Sequence, residues 1–379
     1  MSQAQHDMLP VETHDELARE NFVQALKSHV ATRVSPGVRE VYEARAGEHW
    51  AAETGRTPSD RHEVRAALST DPYYRLWSSV RRSSQHLLWG SVGDAVTRES
   101  DELVDRAREL ATERPAGGTL RLDPSLEIPW YNAEVDIHAM PGGYRGEYGD
   151  DDVWVGAVYD RGVYVYAMGQ MGELNDDYGQ SIVRNYLRVH HPELAPSRIL
   201  DMGCTVGNAT LPYVDAFPDA EVHGIDLGAP VLRYAHARAE ALGRRVHFSQ
   251  QNAERTDFED ASLDLIVSHI FLHELSPAAV RNMLAECHHL LAPGGLMVHA
   301  DFAGYAGVDP LTQAMIDWDT HNNHEPLWGP MRDMDLVAEA EAAGFDAGSC
   351  ELIDVPTGRV LQTGKTAASG QLRLLVGRR

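Results

Sequence analysis

The chain has 379 residues, of which 43% are hydrophobic and 24% charged, a composition typical of a globular protein of one large or two smaller domains. Asp and Glu number 57 against 33 Lys and Arg, so the formal net charge of -24 makes nucleic acid and anionic membranes poor partners. There is no apolar run near the ~20 residues of a membrane span, nor the basic and apolar regions of a secretory signal, so we expect a cytoplasmic protein.

The first half of the chain has helical periodicity interrupted by irregular segments. The spacing of apolar residues predicts helices over 13–31, 38–54, 72–89 and 94–112. Pro36 and Gly37 are expected to separate the first two helices. Residues 115–150 are rich in Gly, Pro and aromatic residues, which predicts a packed loop that covers another part of the protein. Residues 152–172 alternate in polarity, which favours a short hairpin, with a buried helix as the alternative.

The second half alternates strands with helices. After a helix at about 176–191, the pattern predicts strands over 198–203, 221–227, 246–252, 263–272 and 295–302, and helices over 229–243 and 277–291. A loop at 303–330, a helix at 331–343 and β-rich segments at 348–355 and 370–377 follow, the last as an antiparallel strand inserted at the sheet edge. Such alternation is typical of an α/β fold with a parallel sheet covered on both faces.

A glycine-rich turn follows the first strand of this half. The segment Asp201-Met-Gly203-Cys-Thr-Val-Gly207-Asn opens a helix, and glycine there lets the backbone turn sharply and approach a ligand closely. Asp226 ends the next strand, where a carboxylate suits the hydroxyl groups of a ribose. The turn alone is a weak signal. Together with the acid and the strand-helix repeats, it predicts a nucleoside-containing cofactor.

Five segments, in this order and at this spacing, resemble the class I S-adenosylmethionine (SAM)-dependent methyltransferases. They are ILDMGCTVGNATL (199–211), VHGIDL (222–227), QNAE (251–254), DLIVSHIFLHEL (264–275) and LLAPGGLMVHADF (290–302). The resemblance covers about residues 175–379. It implies a seven-stranded Rossmann-like sheet, mostly parallel with the last strand antiparallel, and SAM as the cofactor, with S-adenosyl-L-homocysteine (SAH) as its product.

The resemblance also assigns the cofactor-binding residues. They are Tyr178, Asp201, Gly203, Cys204, Thr205, Gly207, Asp226, Leu227, Asn252, Ala253, Ser268 and His269. By analogy with the family, the turn would hold the methionine portion, Asp226 the ribose and Asn252 the adenine amino group. Ser268 and His269 would lie near the sulfonium. Thr205 replaces the middle glycine of the family's motif.

His269 and His273 are the candidate catalytic residues, because they follow the fourth strand of the parallel series, where open α/β sheets bind ligands. A general base assists methyl transfer to a hydroxyl or a protonated amine. The alternative is that His273 and Glu274 only pack against the next helix. The spacing of the two histidines also permits a chelate, but with no CxxC among the three cysteines we expect no metal.

Two aromatic segments are candidates for the acceptor site. One is the Pro/Gly-rich stretch with Trp130, Tyr131, His138 and Tyr144. The other lies after the fifth strand of the series and contains Trp318, His321, Asn322, Asn323, His324 and Trp328. Either segment could form a substrate wall, and the second could equally be a polar surface loop.

The sequence therefore predicts a mainly helical N-terminal domain (1–172), which forms a homodimer interface or a substrate lid, and a SAM-binding domain (173–379). The predicted function is methyl transfer to a small organic acceptor, with O-methylation favoured and N- or S-methylation as alternatives. A non-catalytic SAM-binding protein is a further alternative. A nucleotide-dependent oxidoreductase is disfavoured, because the GxGxxG spacing is absent at 203–208.

Overall fold

A mixed eight-stranded sheet forms the centre of the computed structural model, which describes residues 3–358 and 370–379. The strands are Thr119–Arg121 (β1), Arg198–Met202 (β2), Glu221–Asp226 (β3), His247–Gln250 (β4), Leu263–His269 (β5), Leu291–Asp301 (β6), Cys350–Pro356 (β7) and Gln371–Arg378 (β8). Their order is β1-β4-β3-β2-β5-β6-β8-β7. The first six strands in that order pair in parallel, and β8 is antiparallel to both of its neighbours. The predicted fold class is confirmed, with eight strands instead of seven.

The parallel strands are apolar because both faces of the sheet are covered. Along β5, Leu265 and Val267 join one buried cluster, while Ile266 between them joins the cluster on the opposite face. All three side chains are inaccessible to solvent. A strand buried on both faces has a continuous apolar sequence rather than an alternating one, which is why the sequence revealed these strands clearly.

Two details of the sheet differ from the prediction. The extra strand, β1, comes from the first half of the chain and pairs with β4 at one edge. The C-terminal strand β8 lies between β6 and β7, so β7 and not β8 forms the other edge. Both differences concern pairing between distant segments, which the local hydrophobic pattern does not encode.

The helices of the second half pack mostly on the two faces of the sheet, although Leu311, Ala314 and Trp318 join a cluster with residues of the first half. They are Asp177–Ile182, Arg188–His190, Leu211–Ala216, Ala229–Ala241, Pro277–Leu290, Pro310–Ile316, Trp318–Asn322, Trp328–Arg332 and Leu336–Ala342. The segment 303–330, predicted as a loop, therefore contains helices. The helix predicted over 331–343 instead begins at Leu336, because the Asp335 side chain accepts a hydrogen bond from the Ala338 N–H and caps it.

The first half is helical, as predicted. Its helices are His14–His29, Pro36–Val41, Gly47–Thr54, Arg61–Ser69, Pro72–Arg98, Ser100–Glu113, Trp130–Ala133 and Trp154–Tyr166. The expected break at Pro36 is wrong: a π-helical turn over Val30–Val34 leads into it, and the Ser35 N–H bonds to the Val30 carbonyl at 2.8 Å. Since Pro36 is the first residue of the next helix, its missing N–H costs no hydrogen bond. The boundary expected between 89 and 94 lies instead at Glu99.

The segment expected as a hairpin is the buried helix Trp154–Tyr166. Val155, Ala157, Val158 and Val165 are all inaccessible to solvent. A helix buried on most sides is apolar around its circumference. Its sequence therefore lacks the helical period, and the alternation that suggested strands was misleading.

A buried charged network joins this helix to the sheet domain. Asp160 accepts hydrogen bonds from Arg238 Nε at 2.9 Å and from the Tyr234 hydroxyl at 3.0 Å, both on Ala229–Ala241. His6 Nε2 lies 3.2 Å from the same carboxylate. The two halves thus share a core as well as a sheet, and the domain boundary near residue 172 stays a prediction. Within the described ranges, no helix has the length and apolar character needed to cross a membrane.

Candidate active site

A cavity lies at the carboxyl ends of β2, β3 and β5, where open α/β sheets bind ligands. The second half of the chain contributes the turn after β2 and the ends of β3 and β5 to its wall. The first half contributes Gln85, Trp89, Tyr131, Asn132, His138, Tyr144, Tyr159, Val163, Tyr166, Ala167 and Met171. The Pro/Gly-rich segment predicted to face the substrate therefore does form part of the wall.

The turn after β2 makes a close-fitting cradle. Gly203 has φ of 71°, and a Cβ built there would lie 2.3 Å from the Phe271 ring, so only glycine fits. Asp226 accepts the Thr205 N–H at 3.0 Å and the Gly228 N–H at 2.9 Å. These bonds fix its carboxylate at the cavity wall. Burial, only partly offset by the backbone donors, raises the pKa of Asp226 to about 6.

Most of the predicted cofactor residues line this cavity. They are Tyr178, Asp201, Gly203, Cys204, Thr205, Asp226, Leu227, Asn252, Ala253 and His269. Gly207 and Ser268 are not among the lining residues. Gly207 faces Phe248, and the Ser268 hydroxyl lies 2.9 Å from His299 Nδ1 in the core. Successive side chains of a strand point to opposite faces, so Ser268 turns away where His269 reaches the cavity.

His269 is held by hydrogen bonds on both sides of its ring. Its Nδ1 lies 3.2 Å from Asp201 Oδ1, and its Nε2 lies 2.9 Å from the Tyr213 hydroxyl. With both nitrogens engaged, neither is available to a substrate. The geometry therefore favours a role in orienting Asp201 over the predicted role in catalysis.

His273 has a different environment. Its Nδ1 lies 2.8 Å from Asp301 Oδ1, and its ring stacks on Trp328 with centroids 4.8 Å apart. Its Nε2 is buried and has no hydrogen-bond partner among the described residues, although the ring lines the cavity. Burial opposes the charged form, but the Asp301 carboxylate outweighs it and raises the pKa of His273.

A second titratable cluster completes this end of the cavity. His138 contacts Glu325 through Nδ1, and its Nε2 lies 3.3 Å from Glu274 Oε1. The Tyr144 hydroxyl donates to the same Glu274 oxygen at 3.2 Å. Burial raises the pKa of Glu325 to about 7.

Sequence reasoning missed Glu325 and Asp301 as site residues. Asp301 is the last residue of β6, a position that could have revealed it. Glu325 gave no local signal.

Most residues of the second aromatic segment, 318–328, do not line the cavity. Trp318 packs edge-on against Trp77 and donates through Nε1 to the Ser78 hydroxyl at 2.8 Å. Trp328 alone of that segment lines the cavity. The described lining contains no Lys or Arg. Lys27 lies behind the wall, where its Nζ donates to Gln85 Oε1 at 2.8 Å.

Residues 199–295, which include the turn, β3 and β5, match the family described as a methyltransferase domain. They belong to a class I SAM-dependent methyltransferase domain. The assignment confirms the family predicted from the sequence and SAM as the cofactor of the domain.

Curated relatives agree with this assignment. The demethylmenaquinone methyltransferase of Thermus thermophilus is 34% identical over 110 residues, which cover 29% of this chain and 49% of that protein. The malonyl-[acyl-carrier protein] O-methyltransferase of Methylococcus capsulatus is 28% identical over 175 residues, which cover 45% of this chain and 59% of that protein. The chain thus spans about half of the length of the curated relatives it matches.

Among solved structures, phosphoethanolamine N-methyltransferase 2 of Haemonchus contortus, in complex with SAM, aligns with 58% of this chain and 57% of that chain. The TM-score is 0.42 and the identity 16%, so this likeness carries no argument about substrate.

Proposed function

We propose that the protein transfers the methyl group of SAM to a hydroxyl group of a small, uncharged organic acceptor. The observation that carries this proposal is His273. Its Nδ1 is held by Asp301 at 2.8 Å, while its Nε2, 3.6 Å from Glu274 Oε1, makes no hydrogen bond to a described residue and lies in the wall of the cofactor cavity. A histidine oriented by a carboxylate is suited to dealing with a hydroxyl proton.

The cofactor end of the cavity would be built by the turn and by β3. Asp226 would accept the ribose hydroxyl groups, because its orientation is fixed by the Thr205 and Gly228 N–H groups. Asn252 and Leu227 would contact the adenine, and Asp201 and Gly203 the methionine portion. Bound SAM supplies an electrophilic methyl group. The chain's own task is to hold the acceptor oxygen in line with it and to exclude water.

The acceptor end would be built by the first half of the chain, which thereby acts as the predicted lid. Trp89, Tyr144, Tyr159 and Tyr166 line it, so its surface suits a flat organic molecule. The described lining contains no Lys or Arg, and its histidines with a raised pKa, His138 and His273, are already paired with carboxylates, so a carboxylate or phosphate group would be desolvated without a free counter-charge. An uncharged acceptor avoids this cost.

The same site favours an acceptor that must lose a proton, such as a hydroxyl group or a protonated amine. A thioether needs no base, so the His273–Asp301 pair would be superfluous for its methylation. The homodimer and the cytoplasmic location predicted from the sequence remain expectations of this proposal.

The proposal is tested in two steps on the purified full chain. Calorimetric titration with SAM, SAH and NAD should show micromolar binding of the first two and no binding of NAD. A library of uncharged hydroxyl compounds, matched with their carboxylate analogues, is then incubated with SAM and examined for a mass increase of one methylene unit. Methylation of hydroxyl groups among the uncharged compounds is expected. Binding of SAM without methylation of any compound would favour the non-catalytic alternative.

A further inference from the structure

We infer that Asn132, in the first half of the chain, accepts a hydrogen bond from the adenine amino group of SAM and makes the site selective for adenine. The inference rests on the proposed function, since it takes the adenine to lie beside Leu227 and Asn252. No sequence motif singled out Asn132, because the cofactor motif lies entirely in the second half of the chain.

Asn132 lies on the short helical turn Trp130–Ala133, which contacts the loop after β4. The hydroxyl group of its neighbour Tyr131 donates to Glu254 Oε1 at 2.8 Å, and the Tyr131 ring joins a buried cluster that includes Ala253. These contacts hold the turn beside the residues proposed to bind the adenine. Since Asn132 lines the same cavity as Ala253, it belongs to the adenine end of that cavity.

The amide oxygen of Asn132 has no partner within the described structure. The residue is 8% exposed, and its Oδ1 is buried with no hydrogen bond to a described residue. The turn is held on both sides of Asn132, by the Tyr131 hydroxyl and by Arg145, whose guanidinium donates to the Ala133 carbonyl. A buried acceptor left unsatisfied costs free energy, so such groups almost always have a partner. A ligand in the cavity that carries an N–H donor would supply one.

Asn252 does not make this second asparagine redundant. Its Oδ1 already accepts the Glu254 N–H at 2.9 Å, which leaves its NH2 group better suited to a ligand than its oxygen. An adenine presents an amino group that donates and ring nitrogens that accept, and an asparagine amide can match either kind of group. Asn252 would therefore donate to a ring nitrogen, and Asn132 would accept from the amino group.

Two further contacts place the first half of the chain against the adenine end. The Asp123 N–H donates to Gln250 Oε1 at 3.0 Å, and the Gln250 amide donates in turn to the Leu227 carbonyl at 2.9 Å. A Cβ built on Gly228 would lie 2.2 Å from the Tyr144 carbonyl oxygen, so the two backbones meet directly after β3. The first half thus covers the proposed cofactor end of the cavity as well as the proposed acceptor end.

The test compares two ligands on the purified full chain and does not depend on turnover. One ligand is SAH, and the other is its purine analogue, in which hydrogen replaces the 6-amino group of the adenine. Calorimetry of the unaltered chain should show a preference for SAH of at least about 10-fold, because the analogue leaves a buried acceptor unsatisfied. Asn132→Ala should bind SAH about 10-fold more weakly and the analogue almost unchanged, so that the preference falls about 10-fold. Asn132→Asp keeps an oxygen acceptor and should retain most of the preference.

Asn282→Ala is the matched control. This exposed asparagine donates to Glu254 Oε2 at 2.8 Å but lies outside the cavity lining, so its removal should leave the preference for SAH unchanged. Equal weakening of both ligands by Asn132→Ala is the result of lost packing alone, and it would overturn the assignment while SAM binding and the proposed methyl transfer stood. Failure of the unaltered chain to bind SAH would instead contradict the proposed function itself.

Discussion

Asp226 is the residue that we propose to link the turn after β2 to the cofactor. Its two backbone hydrogen bonds, to the Thr205 and Gly228 N–H groups, leave the remaining lone pairs of the carboxylate directed at the cavity. Asp226→Ala should therefore weaken SAH binding about 100-fold, the loss of two hydrogen bonds to a charged acceptor. Calorimetry measures this. Asp257→Ala, at an exposed carboxylate paired with Arg121, is the control and should bind SAH normally.

The raised pKa of Asp226 predicts a pH dependence of cofactor binding. Burial raises that pKa to about 6, so the unliganded carboxyl group takes up a proton as the pH falls below that value. Ribose hydroxyl groups donate to the ionised form, and SAH affinity should accordingly be constant above pH 6 and fall below it. Asp226→Asn should bind weakly at every pH between 5 and 8. An unaltered pH profile in that variant would assign the titration to another group.

Substitution of His273 tests whether the acceptor binds beside this residue. His273→Ala should reduce methyl transfer about 100- to 10,000-fold, the range for loss of a group that handles a reacting proton. SAH affinity should stay the same, because His273 lies at the acceptor end and the cofactor contacts do not include it. His321→Ala, at a histidine that also lies beside a carboxylate but outside the cavity lining, is the matched control. Normal turnover of His273→Ala would indicate that this residue only packs against its neighbours.

At the scale of elements, the buried ion pair between Asp160 on Trp154–Tyr166 and Arg238 on Ala229–Ala241 joins the first half of the chain to the sheet domain. Asp160→Ala would leave Arg238 and His6 buried without their carboxylate and should destabilise the protein by about 3–5 kcal/mol. Urea unfolding measures the change. The double variant Asp160→Leu with Arg238→Met removes both charges. If it is more stable than Asp160→Ala, the destabilisation of the single variant is due to the guanidinium left without its carboxylate.

The elements also show what the sequence could and could not predict. The strands of the parallel series were identified because a buried strand such as β5 contains an uninterrupted apolar run, here residues 265–267. The helix Trp154–Tyr166 was mistaken for a hairpin because complete burial removed its helical period. Strand β1 was missed because three residues carry too little pattern, and its pairing with β4 is set by the packing of distant segments.

The residues of the site also divide into those that the sequence could predict and those that it could not. Gly203 and Asp226 could be found because a turn and a strand end are local features with a fixed spacing. His138 was predicted from its aromatic segment, whereas Glu325 belongs to the acceptor end only through its tertiary contact with His138, far away in the chain. Ser268 was misplaced because the motif fixes the strand but not which face each side chain takes. A sequence motif thus predicts where the cofactor binds. The shape of the proposed acceptor site depends instead on how the first half of the chain packs.

At the scale of the whole molecule, the net charge of -24 opposes the binding of nucleic acid. One relative, from Drosophila melanogaster, is named a tRNA methyltransferase and is 28% identical over 138 residues. Binding of RNA depends on Lys and Arg that neutralise phosphates and release counterions. This chain has 57 acidic against 33 basic residues, and its described cavity lining contains no Lys or Arg.

We therefore expect no binding of tRNA at ~0.15 M salt, because long-range repulsion opposes approach and the cavity offers a phosphate no counter-charge. An electrophoretic mobility shift with unfractionated tRNA, with and without SAH, measures this. Retardation that weakens steeply as the salt concentration rises would reveal a phosphate-binding surface and contradict the expectation. It would also indicate that the acceptor binds outside the enclosed cavity. An RNA strand could not enter a cavity whose described wall has no Lys or Arg unless that wall opened.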